Sequence, residues 1–171
     1  MRPRQPIVHL SHQSAARILG LAELALPFES GGILVGYRES DDIVVSEVLL
    51  VPPESVGSSH YRRDGRVADT LLQEYLQTGS EIEGYVGEWH SHPAPIGPSR
   101  LDLRTLKELA AVAEGSVALI VCAFTKDQSH HTFHLRWARR TAGHRISLTT
   151  PELRQSYSAP STPVPDQEIR Q

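Results

Sequence analysis

The sequence predicts an α/β fold in which helices flank a mixed β-sheet. Three observations support this class. Short apolar runs of strand length alternate with longer segments whose apolar residues recur at helical spacing, and this periodicity separates strands from helices. Many of the Gly and Pro residues, 12 of each, fall between these segments as turn formers. The chain has 171 residues, of which 39% are hydrophobic and 22% charged. This length suits one domain that buries about 70% of its unfolded surface.

The helices are predicted from their capping residues and their stop signals. Ser11 is typical of a helix N-cap, and Pro27 ends the apolar pattern that follows it. The next two amphipathic patterns end at Gly79 and Gly115, since Gly favours the conformation that closes a helix. The three predicted helices cover residues 11–26, 64–77 and 101–112.

The strands are predicted from short apolar and β-branched runs bounded by turn residues. The second and third strands are separated by a short polar turn and predict an antiparallel pair, and the last two predict another. The six strands cover residues 7–10, 31–37, 43–51, 84–92, 117–124 and 131–139. The element order β-α-β-β-α-β-α-β-β is typical of a mixed sheet with helices packed against it.

The C-terminal segment differs in composition from the rest. After Leu153, residues 156–165 are rich in Ser and Pro, a composition typical of segments that bury little apolar surface. We therefore expect two parts, a folded domain at residues 1–153 and a flexible tail at residues 154–171.

Charge and hydropathy exclude several classes of function. The formal net charge of −3 gives no reason to expect nucleic acid as a partner. The longest apolar run, residues 117–124, is too short to cross a membrane. The N-terminus lacks the charged and apolar regions of a secretion signal, so we expect a cytoplasmic protein. Cys122 is the only cysteine, which excludes an internal disulfide and a Cys-rich zinc site and predicts a buried, inert thiol.

Two clusters of arginines are candidates for partner contacts. The planar guanidinium group binds carboxylates through two hydrogen bonds, so such clusters can hold an acidic partner or a C-terminal carboxylate. The alternative, a solvated surface, is equally consistent with the sequence. The clusters comprise Arg62, Arg63 and Arg66, and Arg136, Arg139, Arg140 and Arg145.

A histidine pair at His90 and His92, followed by Ser99 and Asp102, supplies three potential metal ligands. On an extended strand, side chains two residues apart point to the same face, so both imidazoles can approach one ion. Ser99 is typical of a helix N-cap, which places Asp102 in the first helical turn. Two imidazole nitrogens and one carboxylate oxygen suit zinc. Three protein ligands leave the fourth tetrahedral position open, as in catalytic sites.

Each part of this pattern also has a simpler interpretation. Paired histidines on a strand are often exposed or hydrogen-bonded without a metal. Ser99 and Asp102 alone form the capping-box pattern of a helix N-terminus. The combination of His-x-His-Pro, a short loop rich in Pro and Gly, and Ser-x-x-Asp is what favours a metal site.

These residues resemble the signature of the JAMM metalloproteases, also called the MPN+ or JAB family. The resemblance covers roughly residues 7–140. Residues 60–64 and 84–90 are most similar to a bacterial branch that is often associated with ubiquitin-like conjugation and anti-phage operons. The loop at residues 93–98 is one residue shorter than the family pattern. The matching segments are Glu29-Ser30-Gly31-Gly32-Ile33-Leu34-Val35-Gly36, His90-Ser91-His92-Pro93 and Ser99-Arg100-Leu101-Asp102.

The resemblance implies a JAB/MPN fold with cytidine deaminase-like architecture and a role for each matched residue. His90, His92 and Asp102 hold one catalytic Zn²⁺ in this interpretation. Glu29 is the general acid/base, and Ser99 helps to stabilise the tetrahedral intermediate.

Two further residues are candidates near this site. Glu88 lies two residues before His90 on the same strand face, so it is either a partner of a ligand or an alternative to Glu29 as the base. His60 is a candidate for lining the substrate groove. Trp89 lies on the opposite strand face and is predicted to belong to the core.

The implied function is a zinc-dependent isopeptidase or peptidase that cleaves after the C-terminus of a ubiquitin or ubiquitin-like protein. It would either deconjugate that protein or process its precursor. The expected partners are that protein and its conjugates, with E1- or E2-like proteins from the same operon; we expect neither nucleic acid nor a membrane. A non-catalytic MPN-type scaffold and a RadC-like JAB protein remain alternatives. A zinc nucleobase deaminase is excluded, because its Pro-Cys-x-x-Cys motif needs a second cysteine.

Overall fold

The computed structural model describes residues 4–55 and 60–156. Every predicted helix and strand is present in it, with ends within two residues of those expected. None of the helices in this part of the chain is long and apolar enough to cross a membrane. The elements are β1 (Ile7–Ser11), α1 (His12–Ala25), β2 (Gly31–Glu39), β3 (Asp42–Leu50), α2 (Gly65–Leu76), β4 (Gly84–His92), α3 (Arg100–Val112), β5 (Val117–Phe124), β6 (His131–Arg140), β7 (Ile146–Thr149) and β8 (Glu152–Ser156).

The strands form one mixed sheet in the order β7-β6-β5-β4-β2-β3-β1-β8. β4 pairs in parallel with β5, and β1 pairs in parallel with both β3 and β8. The other neighbours are antiparallel, including the two predicted pairs β2–β3 and β5–β6. The predicted fold class, a mixed β-sheet flanked by helices, is therefore confirmed.

Helices cover both faces of the sheet, and the alternating side chains of β5 show how the core divides. All eight positions of β5 are buried, as expected for a strand covered on both sides. Ile120 belongs to the core cluster that contains Ile18 of α1. Its neighbour Val121 belongs to the cluster that contains Leu106 of α3. α1 and α3 therefore lie on opposite faces.

Cys122 lies on the α1 side of β5 and is fully buried. Burial raises the pKa of its thiol to about 12. Because the thiolate is the reactive form of cysteine, this side chain is inert at neutral pH. The prediction of a buried, inert thiol is confirmed.

β4 carries a different chemistry on each of its faces. Trp89 is fully buried in the core on the α1 side, and its indole N–H donates a 3.2 Å hydrogen bond to the Leu49 carbonyl. His90 and His92, at the alternate positions, therefore leave the strand on the face that α3 covers. The expectation that Trp89 is a core residue is confirmed.

Two strands were not predicted, and one of them changes the expected boundary of the domain. β7 pairs with β6, and β8 pairs in parallel with β1 over five residue pairs, from Ile7 with Glu152 to Ser11 with Ser156. The boundary predicted at residue 153 falls inside β8, so residues 154–156 belong to the sheet and not to a tail. The remainder of the predicted tail, residues 157–171, lies outside the described residues.

A chain that ends at residue 150 should be less stable than one that ends at residue 156. The truncation removes the pairing of β8 with β1 and the side chain of Leu153, which packs on the core beside α1. Loss of this partly buried leucine side chain alone costs about 1 kcal/mol. Urea unfolding of the two chains, with Leu153→Ala as a control for the side chain alone, measures the difference. Coincident unfolding curves for the two chains would contradict this assignment of β8.

Candidate metal centre

The N-terminus of α3 holds Asp102 in a capping box. The Ser99 side-chain oxygen accepts a 3.2 Å hydrogen bond from the Asp102 backbone N–H, and the Ser99 N–H donates a 2.6 Å bond to Asp102 Oδ2. The capping-box interpretation of this sequence is therefore correct. It does not exclude the metal interpretation, because the same bonds fix the carboxylate beside the histidines of β4.

Three side chains from β4 and α3 converge at this point. Asp102 Oδ2 lies 3.5 Å from His90 Nε2 and 3.8 Å from His92 Nε2. One candidate ligand atom from each residue lies within 4.8 Å of the others. Ligands about 2 Å from one tetrahedral ion lie about 3.4 Å from each other, so these separations suit a shared ion. In residues 4–55 and 60–156 this is the one cluster of three such side chains with metal-ligand spacing.

The hydrogen bonding of the histidine ring nitrogens is also consistent with a bound metal. His90 Nε2 is buried and has no hydrogen-bond partner among the described residues. A buried polar atom without a partner is costly, and a bound cation would satisfy its lone pair. His92 Nδ1 lies 2.8 Å from the Ile96 carbonyl. Because a carbonyl only accepts, this contact places the proton on Nδ1 and leaves the Nε2 lone pair for an ion, as is usual for metal-binding histidines.

The electrostatics of Asp102 favour its charged form. Although burial by itself raises the pKa of this carboxyl group, the neighbouring His90 ring and the Ser99 amide and hydroxyl lower it more. The net pKa of Asp102 lies well below its usual range. The position at a helix N-terminus suits an anion for the same reason. Asp102 is therefore a carboxylate at every physiological pH, the form that binds a metal.

Glu29 lies at the rim of this cluster. Its Oε2 accepts a 2.6 Å hydrogen bond from the Tyr61 backbone N–H, while its Oε1 lies 4.0 Å from His92 Nε2. Ser30 is tied to Ser91, which lies between the two histidines: the Ser30 N–H donates to Ser91 Oγ at 3.0 Å, and the Ser91 N–H donates to the Ser30 carbonyl at 2.7 Å. These bonds hold the segment before β2, and with it Glu29, beside the end of β4.

Tyr61 is a part of the site that sequence reasoning did not assign. Its hydroxyl donates a 2.9 Å hydrogen bond to the Val51 carbonyl, and its ring lies directly on Gly31. A Cβ on Gly31 would lie 2.6 Å from the Trp89 carbonyl and would also clash with the Tyr61 ring. Only glycine permits this close approach. Tyr61 holds Glu29 through a backbone N–H, a contact that any residue type can make, so the sequence contained no signal for it.

Glu88 leaves β4 on the same face as His90 but is bound to other residues. Its Oε1 accepts a 2.5 Å hydrogen bond from Arg63 Nε and a 3.4 Å bond from the Tyr85 hydroxyl. Although burial by itself lowers the pKa of Arg63, the Glu88 carboxylate raises it more, and the net pKa is raised. The two residues form a partly buried ion pair. The neighbouring Arg62 pairs with Glu54 at 3.3 Å on the exposed surface.

A cleft of about 880 Å³ opens beside the metal cluster. Its walls come from the loop before α2, from β4 and from α3. His90 and Asp102 lie in one wall, and His60, the predicted groove residue, lies in another. Glu88 and Arg63 also line this cleft. The structure thus brings His90, His92, Asp102 and Glu29 together and places Glu88 and His60 along the approach to them.

Comparison with known families identifies the chain. A family model for prokaryotic homologues of the JAB domain matches residues 11–139. The match covers the helices and strands that carry the metal cluster, so the chain belongs to the prokaryotic JAB family. The resemblance to JAB proteins inferred from the sequence is therefore confirmed.

Two curated relatives are similar to part of this chain. A CD-NTase/cGAS isopeptidase from Enterobacter hormaechei subsp. hoffmannii (strain UCI 50) is 38% identical over 87 residues, which cover 48% of this chain and 47% of that relative. A CD-NTase/cGAS isopeptidase from Escherichia coli (strain TW11681) is 27% identical over 95 residues, which cover 54% of this chain and 61% of that relative. The chain thus spans about half to three fifths of the length of these relatives.

A solved structure supports the fold. The solution structure of a protein from Desulfitobacterium hafniense matches with a TM-score of 0.64 over 90% of this chain and 95% of that one. The sequence identity is 22%, so the likeness is one of fold.

Zinc added to the metal-free protein should raise its melting temperature. An ion that binds only the folded chain stabilises it by about 2.7 kcal/mol when present at a hundredfold excess over its dissociation constant. His92→Ala should lose this rise, because it removes one ligand, whereas His131→Ala, an exposed residue of β6, should keep it. Thermal unfolding together with elemental analysis of bound zinc provides the measurement. An equal rise in His92→Ala would show that the ion binds elsewhere.

Proposed function

We propose that this protein is a zinc-dependent isopeptidase of the JAB family that hydrolyses the bond after the C-terminus of a ubiquitin-like protein. The observation that carries the proposal is the convergence of two imidazoles and a carboxylate beside a cleft that His90 and Asp102 line, with Glu29 at the rim of the cluster. A non-catalytic scaffold has no need of such a cluster or of a carboxylate beside it. The set of side chains therefore favours an enzyme over a scaffold.

The roles of the residues follow from their positions. His90, His92 and Asp102 would hold the ion, which supplies an activated water and polarises the scissile carbonyl. Glu29 binds Tyr61 through one carboxylate oxygen and keeps the other, Oε1, for proton transfer. Oε1 takes the proton of the attacking water and later delivers it to the departing amine.

Ser99 is the residue that would stabilise the negative charge of the tetrahedral intermediate. Its Oγ accepts a hydrogen bond from the Asp102 backbone N–H, and its hydroxyl also interacts with the Asp102 carboxylate, so donation to a substrate requires the hydroxyl to rotate away from that carboxylate. Donation of that proton to the substrate carbonyl oxygen would stabilise the negative charge that develops there. In this proposal Ser99 both caps the N-terminus of α3 and assists the reaction.

The substrate class is inferred from the relatives. Both are named CD-NTase/cGAS isopeptidases, and an isopeptidase acts on a protein conjugate. We therefore place the substrate among conjugates of a ubiquitin-like protein with a CD-NTase-related protein, formed in the cytoplasm by E1- and E2-like partners as a part of anti-phage defence. Processing of a ubiquitin-like precursor uses the same chemistry, since both reactions hydrolyse an amide after the same C-terminus.

The proposal predicts chelator-sensitive cleavage of a ubiquitin-like fusion. The probe is a ubiquitin-like protein that carries a short C-terminal extension, incubated with the zinc-loaded protein. We expect one cut, after the last residue of the ubiquitin-like domain, and loss of cleavage after treatment with a chelator. Mass spectrometry of the products locates the cut. Zinc-loaded protein that binds the fusion without cleaving it would support the scaffold instead.

A pair of matched variants separates the two candidate bases. Glu29→Gln should keep its zinc and lose about 100-fold or more in kcat, the usual contribution of general acid–base catalysis. Glu88→Gln should keep kcat within a few-fold, because Glu88 binds Arg63 and not the metal cluster. Bound zinc and kcat are measured for both. Full activity in Glu29→Gln with an inactive Glu88→Gln would exchange the two roles.

A further inference from the structure

The Arg63–Glu88 pair is a feature of the cleft that the proposed chemistry does not use. The Arg63 side chain is 24% exposed and that of Glu88 15% exposed, and both lie in the cleft wall. Arg63 uses only Nε to bind Glu88. Among the described residues, its two terminal nitrogens make no hydrogen bond. A mostly buried guanidinium group that lines the cleft therefore keeps the N–H groups of its two terminal nitrogens for a further acceptor.

The orientation of these donors is fixed from several sides. Glu88 binds Nε, and the Tyr85 hydroxyl holds the same carboxylate oxygen of Glu88. The backbone of Arg63 forms an antiparallel β-bridge with Pro53, and Asp64 directly after it caps α2. A donor group fixed in this way loses little conformational entropy when it binds a ligand.

Glu88, the residue that holds Arg63, lies one two-residue strand repeat from His90 of the metal cluster. Glu88 and His90 are two residues apart on one face of β4, which corresponds to about 7 Å along the strand. An extended substrate has the same repeat, so its backbone groups recur on one side every two residues. A peptide whose scissile carbonyl lies at the metal cluster would therefore bring another of its carbonyls to Arg63.

The surrounding charge favours a neutral acceptor over an acidic one. The Glu88 carboxylate already balances the charge of Arg63, and Asp69 on α2 adds further negative potential. A carboxylate of the substrate would meet this negative charge as well as the guanidinium group. A main-chain carbonyl gains the hydrogen bonds without that repulsion.

We propose that Arg63, held by Glu88, positions the substrate by donating hydrogen bonds to a main-chain carbonyl about two residues from the scissile bond. Arg63 then recognises the extended main chain of the substrate and not its side chains. This inference rests on the proposed function and adds a specific contact to it.

Steady-state kinetics on the ubiquitin-like fusion test the role of Arg63. Arg63→Gln should raise KM by about tenfold or more, as expected for loss of a hydrogen bond from a charged donor, with kcat changed far less. Arg63→Lys should resemble Arg63→Gln, because lysine has a single nitrogen, and once that nitrogen pairs with Glu88 it does not present the planar pair of terminal nitrogens that arginine offers. Arg66→Gln, the same change of charge at an exposed position of α2 outside the cleft wall, is the matched control. Bound zinc should be unchanged in all three variants, and the melting temperature should be unchanged in Arg66→Gln. Arg63→Gln should melt at a lower temperature, because it leaves the Glu88 carboxylate without its ion-pair partner.

Semisynthetic fusions test the contact from the side of the substrate. Single peptide bonds within two residues of the cut, other than the scissile bond, are replaced by trans-alkene groups, which remove the carbonyl acceptor without adding a charge. One replacement should raise KM for the wild-type protein by about tenfold and have no further effect on Arg63→Gln. The KM values of the wild-type protein alone identify the sensitive carbonyl. The inference can therefore be tested even if an Arg63 variant folds poorly.

The outcomes are distinct. An unchanged KM in Arg63→Gln, rescue by Arg63→Lys, or a wild-type protein that tolerates every carbonyl replacement would overturn the assignment of Arg63 while leaving the isopeptidase intact. A fusion that the zinc-loaded wild-type protein does not cleave would overturn the proposed function, and the inference with it.

Discussion

The two-residue repeat of β4 is the constraint on which the site depends. Because successive side chains of a strand leave opposite faces, Glu88, His90 and His92 share the face beneath α3, while Trp89 and Ser91 lie on the other. The complete burial of Trp89 fixes this register. A slip by one residue would place the indole in the cleft and the imidazoles in the core. The apolar contact on one face thus determines which residues are available for chemistry on the other.

The same strand also positions the carboxylate at the rim. Ser91 is joined to Ser30 by three hydrogen bonds, so the segment that carries Glu29 is held against β4 between the two histidines. Gly31 lets the Tyr61 ring approach the start of β2 closely, and the Tyr61 backbone N–H donates a hydrogen bond to Glu29. The two candidate ligands of β4 and the candidate base therefore lie side by side at the carboxyl end of β4, in the middle of the sheet.

The sequence predicted those features that depend on local pattern. The histidine pair, the cap at Ser99 and the periodicity of the longer elements are readable within a few residues. β7 and β8 were missed because they are short and partly polar, and they are stabilised by pairing with β6 and β1 and not by their own composition. Likewise, Tyr61 meets Glu29 across 32 positions of sequence and Arg63 meets Glu88 across 25. No local pattern specifies contacts at such separations, which arise only when the sheet assembles.

Asp102 performs two tasks with one oxygen atom. Oδ2 accepts a hydrogen bond from the Ser99 N–H, and this bond caps the N-terminus of α3. The same oxygen is the Asp102 atom that lies 3.5 Å from His90 Nε2 and 3.8 Å from His92 Nε2. Selection for a well-formed helix would by itself retain this serine and aspartate in a descendant that had lost its histidines. Among related chains, the presence of Ser-x-x-Asp is therefore weak evidence that a protein is an active enzyme. The presence of both histidines is the better criterion for separating hydrolases from inactive relatives.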